Sequence, residues 1–286
     1  MPIVYEKLLA LKIPEVTQTY TEKDAILYAL GVGLGHEPTD EHELPFVYEK
    51  NLQVLPTFAA VLGWPGFWVR DLDTGIDWVQ VVAGEQGLVL HRPLAPRGTV
   101  TGRTRVTEII DKGPGKGALV YSERELIDAA SGEKIASVTQ TTFCRGDGGF
   151  GGPARAAPPI HPIPTRAPDL VCDLTTRPEA ALIYRLSGDP NPLHADPAVA
   201  RAAGFPRPIL HGLVSFGVAG HAILKGLCGH DPARLTAIAG RYSAPVFPGE
   251  TLRTEMWRDG TIVSFRVRVA DRDVIGLNNG RAEVMI

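Results

Sequence analysis

Apolar and polar positions alternate through three successive stretches, VTGRTRVTEII, ALVYSERELI and KIASVTQTTF, which is the period of half-buried strands. The same alternation returns at the end of the chain in TLRTEMW, TIVSFRVRVA and VIGLNNGRAEVMI. Ahead of each group the period changes. After Thr21, Ala25, Ile26, Ala29 and Leu30 fall at helical spacing, with Asp24 placed to complete a capping box. After Thr176, Ala180, Ile183 and Tyr184 share one face, with Glu179 as the capping acid and Pro178 in the first turn. A third stretch, Gly212 to Leu227, is apolar or small all round (Gly217, Ala219, Gly220) and predicts a helix buried inside a sheet.

The two cap positions, Thr21 and Thr176, are 155 residues apart. The turn segments RPLAPRGTV and APVFPGETL place Pro93 and Pro96 exactly as far from Pro245 and Pro248, 152 residues in each case. Each half therefore reads as a strand, a capped helix, an irregular middle and three or four antiparallel strands, so the chain is expected to hold one unit twice. Recurrence of Pro-Gly turns in two unrelated all-β regions is the competing account. The boundaries expected are an N-terminal repeat over 1–150, a Gly/Pro linker over 151–168 and a C-terminal repeat over 169–286. The linker lies in GDGGFGGPARAAPPIHPIPTRAPD, whose proline part suits an extended, stiff surface segment.

Composition narrows the function classes. With 286 residues, 44% hydrophobic, 21% charged and a net charge of −3, the chain carries no basic excess for nucleic acid or an anionic membrane surface. Gly 31 and Pro 24 favour a turn-rich sheet protein. Cys144, Cys172 and Cys228 are too scattered for a disulfide framework or a metal knot, so reduced thiols are expected. No secretory leader or membrane-length apolar run is present, and RAEVMI carries no peroxisomal or lipidation signal, which points to the cytoplasm. The glycines of GVGLG end a helix instead of following a strand, against a dinucleotide site, and GDGGFGG lacks the Lys-Ser/Thr of a phosphate loop. His194, His211 and His221 lack the one-helix spacing of a metal motif, so no metal is expected.

Candidate chemistry is concentrated in YRLSGDPNPLHADPAVA. Asp189, Asn191 and His194 lie in a loop forced by Gly188, Pro190 and Pro192, where a carboxylate and an imidazole can be presented together as an acid–base pair. The same residues also suit an Asx turn that merely satisfies local amides. Gly212 stands at the start of the buried helix, where free N–H groups and the helix dipole make an oxyanion site. A glycine required only by a tight turn is the alternative there.

That string, with RPILHGL after it, closely resembles the signature of the MaoC-like dehydratases, specifically their type-2 (R)-specific enoyl-CoA hydratases. TEKDAILYALGVG, RPLAPRGTVTGRTRVTEIIDKG and the FGG of the linker are similar to duplicated members of that family, so the resemblance spans nearly the whole chain. It implies an α+β double hot-dog fold, a continuous antiparallel sheet wrapped around a central helix. It implies a hydro-lyase that converts trans-2-enoyl-CoA reversibly to (3R)-3-hydroxyacyl-CoA. Asp189 and His194 would hold the water, Asn191 would position the site and Gly212 N–H would bind the thioester oxygen. Contacts to acyl-CoA are implied for Ala83, Gly84, Lys112, Pro190, Pro192, Leu193 and Tyr242. Ala83 departs from the histidine-glycine pair of some relatives. No cofactor is implied beyond the coenzyme A of the substrate, and a homodimer is. A hot-dog thioesterase and a non-catalytic acyl-thioester-binding subunit are the alternatives; the D-x-N-P-x-H and HG residues argue against both.

At the spacing of Tyr28 and Tyr184, Asp189 falls on Gly33, Asn191 on Gly35 and His194 on Pro38, so the first repeat lacks the constellation. It also offers LPTFAAVLGWPG where the buried helix should be, broken by Pro56, Gly63, Pro65 and Gly66. The first repeat is therefore expected to house a bulky or long acyl chain and the second to do the chemistry.

Overall fold

The alternating segments become ten strands: β1 (Val16–Tyr20), β2 (Val81–Leu90), β3 (Gly98–Asp111), β4 (Ala118–Asp128), β5 (Lys134–Cys144), β6 (Leu170–Thr175), β7 (Leu235–Tyr242), β8 (Thr251–Asp259), β9 (Ile262–Val269) and β10 (Val274–Val284). This computed structural model describes residues 2–153 and 155–285; residue 154, within the expected linker, and residues 1 and 286 lie outside the described residues. The strands form one antiparallel sheet in the order β1-β3-β4-β5-β2-β7-β10-β9-β8-β6. Read inward from either edge, each half runs first, third, fourth, fifth, second strand. The halves join where β2 pairs with β7, from Glu85 opposite Arg241 to Val89 opposite Ala237. This is the α+β double hot-dog architecture.

The sequence offsets reappear as matching contacts. Thr19 and Thr99 pair their hydroxyls across β1 and β3 at 2.9 Å, and Thr175 and Thr251 do so across β6 and β8 at 2.9 Å. The helices are α1 (Tyr5–Leu9), α2 (Glu22–Gly31), α3 (Leu44–Val47), α4 (Trp68–Asp71), α5 (Ala180–Tyr184), α6 (Pro197–Ala202) and α7 (Gly212–Leu227). At α2 the expected cap is built: the Thr21 backbone N–H and hydroxyl both donate to Asp24 Oδ2, at 2.8 and 2.7 Å. At α5 it is not. The helix begins only at Ala180, and Thr176 Oγ1 donates to the Glu250 carbonyl and accepts from Gly249 N–H, both at 3.0 Å. Strand pairing of Thr175 with Thr251 brings that turn beside Thr176 and takes its side chain away from the helix.

The linker is held along the second half. His161 Nε2 meets Ser264 Oγ at 2.8 Å, Asn279 Nδ2 donates to the His161 carbonyl, and Trp257 Nε1 donates to the Arg166 carbonyl. Asp111 gathers the N–H groups of Gly149 and Gly151 at 2.7 and 2.9 Å. No helix among the described residues is long and apolar enough to cross a membrane.

Helix α7 is the centre of the core, buried from Val214 to Leu224 against β6, β7, β8 and β10. The place it occupies is filled in the first half only by a 3₁₀ turn, Pro56–Ala60. Glycines let the two come together. A Cβ on Gly220 would stand 2.6 Å from Thr57 Cγ2, and one on Gly217 2.5 Å from Val32 Cγ1. Overpacking of this kind costs about 1–3 kcal/mol. Gly220→Val is accordingly expected to lower the unfolding free energy by that much, read as a lower urea midpoint at unchanged m-value; a midpoint equal to wild type would disprove the close packing.

Candidate active site

Gly188, at φ 120°, turns the chain out of the helix pair that precedes it, and the prolines at 190 and 192 hold the following loop open. Asp189 Oδ1 accepts from Asn191 N–H at 3.1 Å, and Asn191 Oδ1 accepts from Leu193 N–H at 3.0 Å. The Asx-turn alternative is thus realised in part, and it serves the site. Asn191 caps the 3₁₀ turn Pro192–His194, which carries His194. Arg185 Nη2 braces the loop from behind through the Pro190 carbonyl at 3.4 Å.

His194 is 9% exposed and its Nδ1 faces the Ile209 carbonyl at 2.9 Å. A carbonyl only accepts, so Nδ1 carries the proton and Nε2 presents a lone pair. Burial pulls the imidazole below its ordinary 6.5, against the opposing influence of the Ile209 carbonyl and Asp189. His211 stacks on it, ring centroids 3.8 Å apart, and its Nε2 donates to the Asp189 backbone carbonyl at 3.3 Å. Burial, with His194 beside it, pushes His211 down to about 3, so both rings are neutral near pH 7. Behind His211 stands Tyr184, at 5.0 Å between ring centroids.

His211 ends its loop as the residue before α7, so Gly212 opens that helix with N–H groups that have no intrahelical acceptor. Tyr242 packs on this glycine so closely that a Cβ there would lie 2.9 Å from its ring. Burial raises the Tyr184 and Tyr242 phenols, and both hydroxyls are buried without a partner.

Asp189, Asn191, His194, Gly212 and Tyr242 are therefore brought together, with Pro190 and Pro192 exposed and Leu193 half-buried on the rim. Ala83 and Gly84 lie on β2, in the step before the Glu85–Arg241 pair that adjoins Tyr242. Lys112 sits in the β3–β4 turn with its ammonium 4.8 Å over the Phe143 ring. Of the three histidines weighed as metal ligands, His221 is remote in function, bonded to Glu43, whereas His194 and His211 join Asp189 with ligand atoms within 4.8 Å of one another. His211 in the HG pair is the site residue that pattern reading missed; only the stacking of two distant loops makes it visible.

A cavity of about 120 Å³ opens beside Asp189, walled by Gly188 and Leu213 on one side and Ala60, Trp64 and Trp68 on the other. Of the second group, Ala60 and Trp64 come from the broken stretch of the first half and Trp68 from α4 just after it. There, Gly33 and Gly35 take left-handed turns at φ 94° and 69° in place of the acid–base loop. A wider surface hollow of about 320 Å³ among Asp73, Asp77 and Asp147 contains none of the loop.

The comparisons fall on both halves. Residues 160–278 match the MaoC like domain and residues 18–146 the MFE-2 hydratase 2 N-terminal domain. The chain is 40% identical to peroxisomal enoyl-CoA hydratase 2 of Arabidopsis thaliana, over 93% of this chain and 91% of that one. It is 44% identical to 3-hydroxyacyl-thioester dehydratase Y of Mycobacterium tuberculosis, over 89% and 88%. The crystal structure of a MaoC-like dehydratase from Phytophthora capsici superposes with a TM-score of 0.87 at 35% identity, covering 98% of both chains. Two matched halves, relatives covered over most of their length and a shared fold leave one assignment: the chain belongs to the MaoC-like dehydratase family, in its duplicated hydratase 2 form.

Proposed function

We propose that the chain is a hydro-lyase that adds water reversibly to trans-2-enoyl-CoA to give (3R)-3-hydroxyacyl-CoA. The carrying observation is the clustering of the Asp189 carboxylate with ring nitrogens of His194 and of His211, the residue from which α7 starts. In a 2-enoyl thioester Cβ is electrophilic, and attack by water moves charge onto the thioester oxygen. Gly212 N–H, with the dipole of a sixteen-residue helix behind it, stabilises that oxygen. Asp189 and His194 hold the water. As its oxygen bonds Cβ it gives up one proton to this pair, and one proton is returned to Cα, so the pair ends each turnover as it began. Asn191 keeps His194 in place. Ala83, Gly84, Lys112, Pro190, Pro192, Leu193 and Tyr242 contact the acyl-CoA, the repeat 169–286 carries the chemistry and the repeat 1–150 houses the acyl chain.

Two readouts on crotonyl-CoA test this reading: the conjugated-enoyl ultraviolet absorbance and free thiol. Loss of absorbance without thiol release is expected. Thiol release would instead identify a thioesterase, and binding with neither change a non-catalytic subunit.

The neutral imidazoles and the carboxylate supply all the proton transfers, so the proposal includes no metal and no cofactor. Dialysis against EDTA is expected to leave the hydration rate unchanged; a rate lost to EDTA and restored by zinc would place an ion on Asp189, His194 and His211. A cytoplasmic location and a homodimer belong to the same proposal, read by cell fractionation and by light scattering.

A further inference from the structure

On the first half of the sheet, β4 carries polar side chains at inward-facing positions where its counterpart β9 is apolar. On β9 these positions are Val263, Phe265, Val267 and Val269, packed in the core that surrounds α7. On β4, which holds the same place in the first half, they include Ser122 and Arg124. Arg124 lies opposite Thr104 on β3, and Ser122 lies opposite Gln140 on β5, which in turn faces Gln86 on β2. All five line the cavity that Asp189 borders.

Arg124 is 6% exposed, yet no carboxylate among the described residues pairs with it. Its Nη2 donates to the Ala60 carbonyl at 2.5 Å, while its Nε and Thr104 Oγ1 are buried without acceptors. Burial pulls the guanidinium down to about 10, which leaves it cationic at neutral pH. A buried cation without a counter-charge is expensive, and the expense is relieved when a bound anion supplies the missing acceptors. A guanidinium also offers two parallel N–H donors, the geometry that a carboxylate accepts.

We propose that Arg124 receives a carboxylate at the far end of the acyl chain, so that the preferred substrates are 2-enoyl thioesters ending in a carboxylate. This inference rests on the hydratase reading and specifies its substrate class. The thioester end lies at Asp189 and Gly212, the chain passes between Trp64 and Leu213, and the distal carboxylate meets Arg124 with Thr104, Ser122 and Gln140 beside it.

The test compares matched pairs of methyl-ended and carboxylate-ended trans-2-enoyl-CoAs, from hexenoyl to decenoyl. Wild-type kcat/KM is expected to be about tenfold or more higher for the carboxylate-ended member at the chain length that reaches Arg124, as a charge-assisted pair of about 1.4 kcal/mol or more requires. In Arg124→Met that ratio is expected to fall to about one or below, whatever the common level of activity, with Arg124→Lys in between. A wild-type ratio of one or less at every length, or a ratio unchanged in Arg124→Met, would overturn the inference and leave Arg124 as a prop for the Ala60 turn. If Arg124→Met does not fold, the wild-type ratios decide alone. Failure of the hydratase reading looks different: no member of either set loses its enoyl absorbance. In that case calorimetric Kd values for adipoyl-CoA and hexanoyl-CoA still read the preference without turnover, and equal values reject it.

Discussion

Changing His194 to Gln, or Asp189 to Asn, is expected to lower kcat/KM for enoyl-CoA hydration by about 10²–10⁴-fold each. Asp189→Asn keeps the size and the local hydrogen bonds of the original: the amide still accepts from Asn191 N–H through its oxygen, and the backbone carbonyl that accepts from His211 Nε2 is untouched. Gln at 194 sets its amide at the Nε2 end of the ring and gives up the Nδ1–H bond to the Ile209 carbonyl. For Asp189→Asn what is lost is proton transfer, so its melting temperature is expected to stay near wild type while the rate falls. Because the two groups act on one water, the double variant is expected to lose little more than the worse single one. The pH profile carries a further sign. Burial depresses the His194 pKa below 6.5, so the neutral ring prevails above that lowered value and is lost as pH falls through it. The acid limb of wild-type kcat/KM should therefore lie below the pH at which an ordinary imidazole would impose it, and that limb should change in His194→Gln. Hydration at near the wild-type rate in either single variant would show that the water is held elsewhere.

How much of this was legible depends on whether a feature is local or assembled. The repeat is legible in its spacing, and the hydroxyl pairs Thr19–Thr99 and Thr175–Thr251 carry it into the sheet at offsets of 156 and 152 residues, the first one residue longer than the spacing of Thr21 and Thr176. The buried helix was legible because a run with no polar face can only be enclosed. The grouping of Asp189 with His194 was legible because the two are neighbours in sequence. Features made by contact between distant segments were not. Thr176 reads as a cap by spacing, but the Gly249 turn, seventy-odd residues on, takes its hydroxyl. His211 reads as an unspecific histidine until its ring is laid on His194. Arg124 carries no signal of its own in the strand ALVYSERELI, where a charge suits a solvated face, yet strict alternation from Val120 and Ser122 places it on the inner face. There the period was informative and the residue type misleading.

The same contrast governs His221, which belongs to the largest stability effect expected for the protein. Beside Gly35, which stands in the first half at the place of Asn191, lies an anchor. Gly35 N–H donates to Glu43 Oε2 at 2.9 Å, and Glu43 Oε1 accepts from His221 Nε2 at 3.1 Å and Lys225 Nζ at 2.9 Å, both on α7. Glu43 is 3% exposed. Burial alone would raise its pKa, but the bonds from His221, Lys225 and Gly35 outweigh it and hold the carboxyl at about 2. Glu43→Leu removes the acceptor and strands a buried imidazole N–H and a partly buried ammonium. Breaking one side of a buried ion pair costs about 3–5 kcal/mol, and the partial exposure of Lys225 puts this case near the lower figure. The expected penalty at pH 7 is thus about 3 kcal/mol, read as a lower urea midpoint. Its pH dependence follows from the sign of the shift. A carboxyl whose folded pKa is depressed stabilises the fold fully above its unfolded value near 4.5, and that contribution drains away as pH falls toward 2. The gap between wild type and Glu43→Leu should accordingly close across that acid window, because protonated Glu43 no longer holds His221 and Lys225 as a charge. A penalty of the same size at pH 3 as at pH 7 would mean that Glu43 ties the two halves together by packing and not by its carboxylate.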